Sequence, residues 1–222
     1  MEAIPSLAER VAEFYWWHSI DLGQGIVTPG MKTPAVMSLE EGLVFGDANL
    51  AGKTLLDVGA WNGGFSVAAA RRGARVTALD HFAGTASNFR GRETLDLVIR
   101  ATGLDIAVVD RDVDAVALDD LGSFDWVLFL GVFYHLPAPV SVLRKVANLA
   151  KETLVVETYV DDALGEKPAM RFYPGNELNN DESNWWGPNT ACMMALLEMI
   201  GFSRIEVAPG CAGDRRIFRA QR

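Results

Sequence analysis

Apolar positions along this chain fall into short blocks, and the spacing between blocks alternates regularly from strand-like to helix-like. Leu55-Leu56-Asp57-Val58, Val76-Thr77-Ala78-Leu79, the run Phe124 to Leu130 and Leu154-Val155-Val156 are nearly continuous apolar stretches. Stretches of that length and composition read as strands covered on both faces. They predict strands over 54–58, 75–79, 105–109, 124–130 and 153–159, separated by helices over 64–72, 84–101 and 139–150. Strand and helix in turn imply parallel pairing through right-handed crossovers. After a long irregular stretch, 161–188, the pattern predicts a helix over 189–200. Two strands follow, 202–208 and 215–220, joined around Pro209-Gly210 as a hairpin. Ahead of the first strand, residues 5–18 have helical spacing and end in Phe14-Tyr15-Trp16-Trp17-His18. The Gly-, Pro- and Thr-rich residues 21–36 read as an ordered loop.

The most specific chemistry follows the first strand. Asp57-Val58-Gly59-Ala60-Trp61-Asn62-Gly63-Gly64 takes a strand through a glycine turn into a helix, and the next strand ends at Asp80, 23 residues after Asp57. Ligands of open α/β sheets bind at the carboxyl ends of the strands. There a glycine turn lets backbone approach the ligand, and a strand-end acid can accept hydrogen bonds from ribose hydroxyls. The spacing is not G-x-G-x-x-G and no G-x-x-x-x-G-K-[ST] occurs, which argues against a nicotinamide dinucleotide and excludes a P-loop.

Length and charge narrow the partners. With 222 residues, half of them hydrophobic, the chain is expected to form one ligand-binding domain over 51–222 with an N-terminal lid and substrate-capping segment over 1–50. The net charge of −9 and pI near 4.8 count against a nucleic-acid partner, without excluding a local basic patch. No apolar run is long enough to suggest a membrane span, and the first residues lack a secretory pattern. Two cysteines and three dispersed histidines offer no metal-ligand spacing, and a cytoplasmic location is expected.

D-x-G-x-x-x-G at Asp57, Gly59 and Gly63, with Asp80 closing the second strand, resembles the first two motifs of class I S-adenosylmethionine-dependent methyltransferases. The resemblance implies a Rossmann-like, doubly wound, seven-stranded α/β sheet with an antiparallel last strand. Its cofactor carries an ammonium and a sulfonium but no phosphate, and an acid such as Asp57 beside the loop suits those charges. Strand by strand, the cofactor positions are then Gly59, Ala60, Asn62 and Gly63 after the first strand, and Asp80 and His81 after the second. Asp112 and Val113 follow the third in a loop resembling the family's adenine-binding segment. Leu130 and Gly131 close the fourth, facing the methionine part.

Gly131-Val132-Phe133-Tyr134-His135-Leu136-Pro137 sharpens the resemblance, together with Trp17-His18-Ser19-Ile20-Asp21-Leu22-Gly23 and Val27-Thr28-Pro29-Gly30. Leu154-Val155-Val156-Glu157-Thr158, Tyr173-Pro174-Gly175 and, more loosely, Trp185-Trp186-Gly187-Pro188-Asn189 extend it over most of 14–208. These segments are similar to the group related to the bacterial tRNA wobble-uridine carboxymethyltransferase. Between Gly30 and Gly52, however, Lys32 is the one basic residue, which offers little to an extra carboxylate or a phosphate backbone. Ordinary S-adenosylmethionine and a small-molecule acceptor, methylated on oxygen or nitrogen, are therefore expected. A wobble-uridine enzyme and a non-catalytic cofactor-binding module are the alternatives.

Methyl transfer mainly requires positioning, exclusion of water and, for some acceptors, a base. His135 and Tyr134 follow the fourth strand beside the expected methyl group. His135 is a candidate base, with backbone hydrogen bonding as its other reading. Tyr134 is a candidate contact to the substrate or the cofactor carboxylate. His18 is a second candidate base that Asp21 could orient, or else part of an N-terminal clasp. Trp17, Tyr173 and Trp185 are candidate aromatic walls for the acceptor, while Glu157 and Arg171 are candidate polar contacts. Core packing and surface solvation are the alternatives for these five residues.

Overall fold

The computed structural model describes residues 5–82, 89–114, 118–211 and 213–222. Its elements in chain order are α1 (Leu7–Ala12), α2 (Pro34–Phe45), β1 (Thr54–Val58), α3 (Gly64–Arg71), β2 (Arg75–Asp80), α4 (Gly91–Thr102), β3 (Ile106–Asp110), β4 (Phe124–Leu130), α5 (Pro139–Asn148), β5 (Ala150–Tyr159), β6 (Met170–Phe172), β7 (Trp186–Pro188), α6 (Thr190–Ile200), β8 (Arg204–Pro209) and β9 (Arg215–Gln221). Seven strands form one sheet in the order β3-β2-β1-β4-β5-β9-β8. The pairs β1–β2, β1–β4, β2–β3 and β4–β5 are parallel, and β9 runs antiparallel to both β5 and β8.

The strand side chains alternate between two cores, as the two-residue period of a strand requires. Leu55, Ala78, Trp126 and Leu128 face one core, shared with α2, α3 and α4. Leu56, Val58, Val127 and Phe129 face the other, with α5 and α6. Both faces of the parallel strands are thereby covered.

The predicted strands and helices from 54 to 220 occur with boundary changes. The first helix and the loop after it differ more. Helix α1 opens on a capping box, in which Ser6 Oγ accepts the Glu9 N–H while Glu9 accepts back, and it ends at Ala12 instead of 18. The Trp16 indole N–H donates to the Val11 carbonyl at 2.8 Å, using an acceptor that a continuing helix would have consumed. Helix α2 begins inside the stretch read as loop. Thr33 caps it, its Oγ accepting the Val36 N–H, and Pro34 fits the first turn, where no amide hydrogen is needed. The start predicted at 84 for the helix before β3 lies outside the described residues, and the observed helix runs from Gly91. The stretch 161–188 holds two regular features not expected from its sequence, a 3-10 turn over Asp162–Leu164 and the two-stranded β6–β7 sheet.

Residues 14–32 form an ordered strap. Met31 N–H donates to the Trp16 carbonyl and Lys32 N–H to that of Trp17, while Thr28 Oγ accepts the Ile20 N–H and donates to the His18 carbonyl. Phe14, Trp16, Ile20 and Leu22 pack from this strap into the same core as Leu55 and Phe65. No helix among the described residues is long and apolar enough to cross a membrane.

Trp16 is 2% exposed and ties the strap to the sheet. Trp16→Ala removes a large side chain from a filled core and one hydrogen bond, and should cost about 3–5 kcal/mol. Urea unfolding followed by tryptophan fluorescence measures it.

Candidate active site

The carboxyl ends of β1 to β5 share one edge of the sheet. Because β9 is antiparallel, its start at Arg215 lies there too, paired with Tyr159. Asp80 reaches back from β2 and its Oδ2 accepts the Trp61 N–H at 2.7 Å, which fixes the glycine turn. Burial raises its pKa, against the N–H donors of Trp61 and His81. Gly59 has φ +77°, and a Cβ there would lie 2.3 Å from Val132 Cγ2, so the turn lies flat against the residues after β4. Ala60 is buried, and Gly63 leads into α3. The Trp61 indole nitrogen is buried and has no hydrogen-bond partner among the described residues.

Asp57 lies beneath this turn. Its carboxylate is buried and accepts the Ser66 hydroxyl of α3 at 2.6 Å. Burial pushes its pKa up to about 6, the Ser66 hydrogen bond opposing and Asp80 adding to the rise.

The turn after β4 carries the densest chemistry. Leu130 ends the strand half-buried, and the Gly131 N–H donates to the Glu157 carbonyl. Arg215 Nη1 donates to both carboxylate oxygens of Glu157 at 3.0 Å, and Nη2 to the Tyr134 hydroxyl at 2.7 Å. Its guanidinium also lies over the Tyr134 ring, 4.7 Å from the centroid. Burial opposes the Arg215 charge, but Glu157 and Tyr134 outweigh it and raise its pKa. Burial pushes the Tyr134 phenol up to about 12, Arg215 drawing it back. His135 is half-buried beside the Tyr134 ring, the centroids 4.2 Å apart. Its Nδ1 lies 2.9 Å from the Ser183 carbonyl oxygen and 3.0 Å from the Ser183 hydroxyl. Burial first of all lowers its pKa.

The strap crosses the same edge. Trp17 and Trp61 stack with rings 1° from parallel and centroids 5.7 Å apart, and Phe89 and Tyr15 flank Trp61. The geometry corrects three of the sequence assignments. Asn62 is fully buried with both ends of its amide in use. Its Oδ1 accepts the Trp17 N–H and its Nδ2 donates to Thr94 Oγ, both at 2.7 Å, so it is a strut and not a ligand contact. His18 is buried against Gly64, where a Cβ would come 2.6 Å from the imidazole Cγ, and its Nδ1 faces the Gly64 N–H at 3.4 Å. Burial, with Lys32 adding, pushes His18 down to about 3, so the neutral ring belongs to the clasp and not to proton transfer. Asp21 does not pair with it: its Oδ1 accepts the Gly23 N–H of a local turn at 2.8 Å.

The other candidates are more dispersed. The Tyr173 hydroxyl donates to Asp161 Oδ2 at 2.5 Å. Arg171 is exposed, over the Tyr173 ring and 3.8 Å from Glu177. Half-buried Trp185 donates its indole N–H to the Glu182 carbonyl. Asp112 closes a turn by accepting the Asp114 N–H, and Val113 packs its side chain into the second core. His81 follows β2 at the surface. Among the described residues no group of three or more metal-ligating side chains is assembled. Arg215, Ser183 and Asp181 were not anticipated. The signal for Arg215 was available: an antiparallel last strand begins at the edge where its neighbours end.

The methyltransferase domain family matches residues 56–153. A ubiquinone biosynthesis O-methyltransferase of Vibrio parahaemolyticus is 31% identical over 170 residues, 71% of this chain and 67% of that one. Among solved structures, magnesium protoporphyrin IX methyltransferase of Synechocystis with bound S-adenosylmethionine superimposes with a TM-score of 0.60 at 19% identity, covering 85% of this chain and 78% of that one. The N-terminal domain of EvdMO1, crystallised with S-adenosylhomocysteine and D-fucose, gives 0.68 at 20% identity, covering 97% and 94%. The chain belongs to the class I S-adenosylmethionine-dependent methyltransferases. Matches to further ubiquinone biosynthesis O-methyltransferases span 40 to 42% of those proteins' length. These relatives lend no support to the wobble-uridine subgroup.

Two outcomes follow from the turn. Gly59→Ala should weaken S-adenosylmethionine binding at least tenfold in calorimetry, and Val132→Ala in the same chain should restore part of the loss by making room for the new methyl. Asp57 binds its proton more tightly folded than unfolded. Its contribution to stability is therefore present below the unfolded value near 3.8 and is lost as pH rises toward about 6. Asp57→Asn should flatten that slope in urea unfolding between pH 4 and 6.

Proposed function

We propose that this chain transfers a methyl group from S-adenosylmethionine to a hydroxyl oxygen of a small acceptor molecule. The observation that carries the reading is the Gly59 turn, closed to any side chain by Val132 and held by Asp80, with Tyr134 and His135 on the same Val132 segment. A flat backbone cradle beside a strand-end acid fits an adenosine-containing cofactor better than it fits a phosphate.

In this reading Asp80 accepts from the ribose hydroxyls, with His81 beside it. Asp112 and the Val113 backbone meet the adenine, and Leu130 and Gly131 face the methionine part. When bound, the cofactor supplies a methyl group made electrophilic by its sulfonium. The chain's own contribution is placement: the Trp17–Trp61 stack and Trp185 exclude water and flank the acceptor, and His135 takes the acceptor's proton. Tyr134 is held protonated at neutral pH and is suited to donate or orient, not to act as base. Glu157 is neutralised by Arg215, so the pair presents polarity to the acceptor without a net charge.

The names of the relatives support oxygen as the accepting atom, and the acidic surface supports a small molecule over RNA. The N-terminal segment ahead of β1, strap included, acts in this reading as the cap of the site.

Calorimetric titration with S-adenosylmethionine, its carboxylated analogue and NADH tests the cofactor. Binding of S-adenosylmethionine alone is expected, weakened at least tenfold, or about 1.4 kcal/mol, by Asp80→Ala. Preference for the carboxylated form, or binding of none, overturns the reading.

A further inference from the structure

We propose that Asp181 and Ser183 are positioning residues that hold the His135 imidazole in the tautomer whose basic nitrogen is Nε2, and so make that nitrogen the proton acceptor. The proposal rests on the methyl-transfer reading for the identity of the proton.

The argument starts from which atoms face Nδ1. A carbonyl oxygen accepts and never donates, so the Ser183 carbonyl at 2.9 Å requires a hydrogen on Nδ1. The Ser183 hydroxyl lies 3.0 Å from the same nitrogen, but its own hydrogen is directed elsewhere: it donates to Asp181 Oδ1 at 2.6 Å. The hydroxyl therefore faces Nδ1 as a second acceptor. Two acceptors on one nitrogen leave the lone pair of the neutral ring on Nε2. Nε2 has no partner among the described residues, and it is not a buried orphan atom either, so it faces accessible space.

Asp181 holds the arrangement from behind. Its Oδ1 accepts both the Ser183 N–H at 2.9 Å and the Ser183 hydroxyl, which fixes the peptide and the side chain together. The neighbouring residues grip the turn on either side of the histidine. Trp185 N–H donates to the Tyr134 carbonyl at 2.9 Å, and the Trp186 indole N–H to the Leu136 carbonyl at 3.0 Å. Three consecutive residues, 134 to 136, are thus each bonded to the segment 183–186.

The charges around the ring suit a base that is neutral at rest. Asp181 and Glu157 favour the imidazolium, Arg215 disfavours it, and burial disfavours it most; the Tyr134 phenol lies alongside. In the transfer step the acceptor oxygen forms its bond to the methyl carbon as the carbon–sulfur bond breaks. The sulfur leaves as a neutral thioether and the hydroxyl proton passes to Nε2. The resulting imidazolium keeps its Nδ1–H on Ser183, with the Asp181 carboxylate one hydroxyl away, and later loses the proton to water.

Long-range proton–nitrogen spectra of the uniformly 15N-labelled full chain test this directly. The chain has three histidines, and His135→Gln identifies the signals of the third. Near pH 8 the wild-type His135 should show the Nδ1–H tautomer, the minor form of free histidine in water. Asp181→Ala should shift it toward the Nε2–H form. Asp181→Asn keeps an oxygen acceptor but removes the charge; it should preserve the tautomer and lower the His135 titration midpoint by about half a unit or more. An Nε2–H tautomer in the wild type, an unchanged tautomer in Asp181→Ala, or an unmoved midpoint in Asp181→Asn overturns the proposal. If Asp181→Ala fails to fold, the wild-type spectrum and Asp181→Asn decide it. Absence of S-adenosylmethionine binding in calorimetry would instead overturn the methyl-transfer reading, whatever tautomer is seen.

Discussion

The contact between Gly59 and Val132 sets the geometry of the whole carboxyl edge. It is a contact between a bare backbone and an aliphatic side chain, with no room for one more carbon. Its effect is to lock two turns together, the one after β1 and the one after β4. The first is held from β2 by the Asp80 carboxylate, and the second from the far side of the site by residues 183–186. A displacement in either turn is therefore felt by the other, because a close-packed contact transmits strain and does not absorb it.

Buried charge at this edge is arranged to avoid isolated ions. The Glu157–Arg215 pair has two hydrogen bonds to one carboxylate and a third to the Tyr134 phenol, which satisfies polar atoms that burial would otherwise leave costly. The pair is weak evidence for stability, since an apolar replacement of equal volume could do as well. Its value at this position is orientation: one guanidinium fixes the start of β9, the end of β5 and the phenol of the β4 turn at once. Asp57 shows the contrary arrangement. With only Ser66 hydroxyl and N–H donors and, among the described residues, no cation beside it, its carboxyl is driven toward the neutral form.

The sheet was legible in the sequence because fully buried parallel strands leave continuous apolar runs that few other structures produce. The glycine turn was legible because backbone approach demands a residue type. What escaped was set by long-range contact. Helix α1 stops early because Trp16 turns back onto Val11, a bond that depends on where the strap meets the core. His18 and Asp21 are close in sequence and suggested a pair, but a strap hydrogen-bonded to itself and to Asn62 sends their side chains in different directions. The Thr33-Pro34 start of α2 is a helix-start signal embedded in a Gly- and Pro-rich stretch whose composition reads as loop. Ser183 and Asp181 carried no local signal, since an Asp two residues before a Ser is common in turns and gains meaning when His135 lies opposite.

The strap explains how one edge can be both rigid and enclosed. Asn62 belongs to the glycine turn after β1, yet its amide is spent on Trp17 from the strap and Thr94 from α4. A buried amide with both ends satisfied loses more than one hydrogen bond if either partner leaves, because the remaining polar atoms are stranded without water. The strap cannot lift locally at Trp17 without exposing that cost and unstacking Trp17 from Trp61. Motion that admits an acceptor is therefore easier on the opposite side of the edge. There the segment 176–184 is largely exposed and is held to the β4 turn through the Ser183 contacts with His135 and, just beyond it, the Trp185 and Trp186 bonds. In the proposed reading the cofactor lies on the strap side, which these bonds fix, and the His135 contacts lie on the more exposed side of the edge.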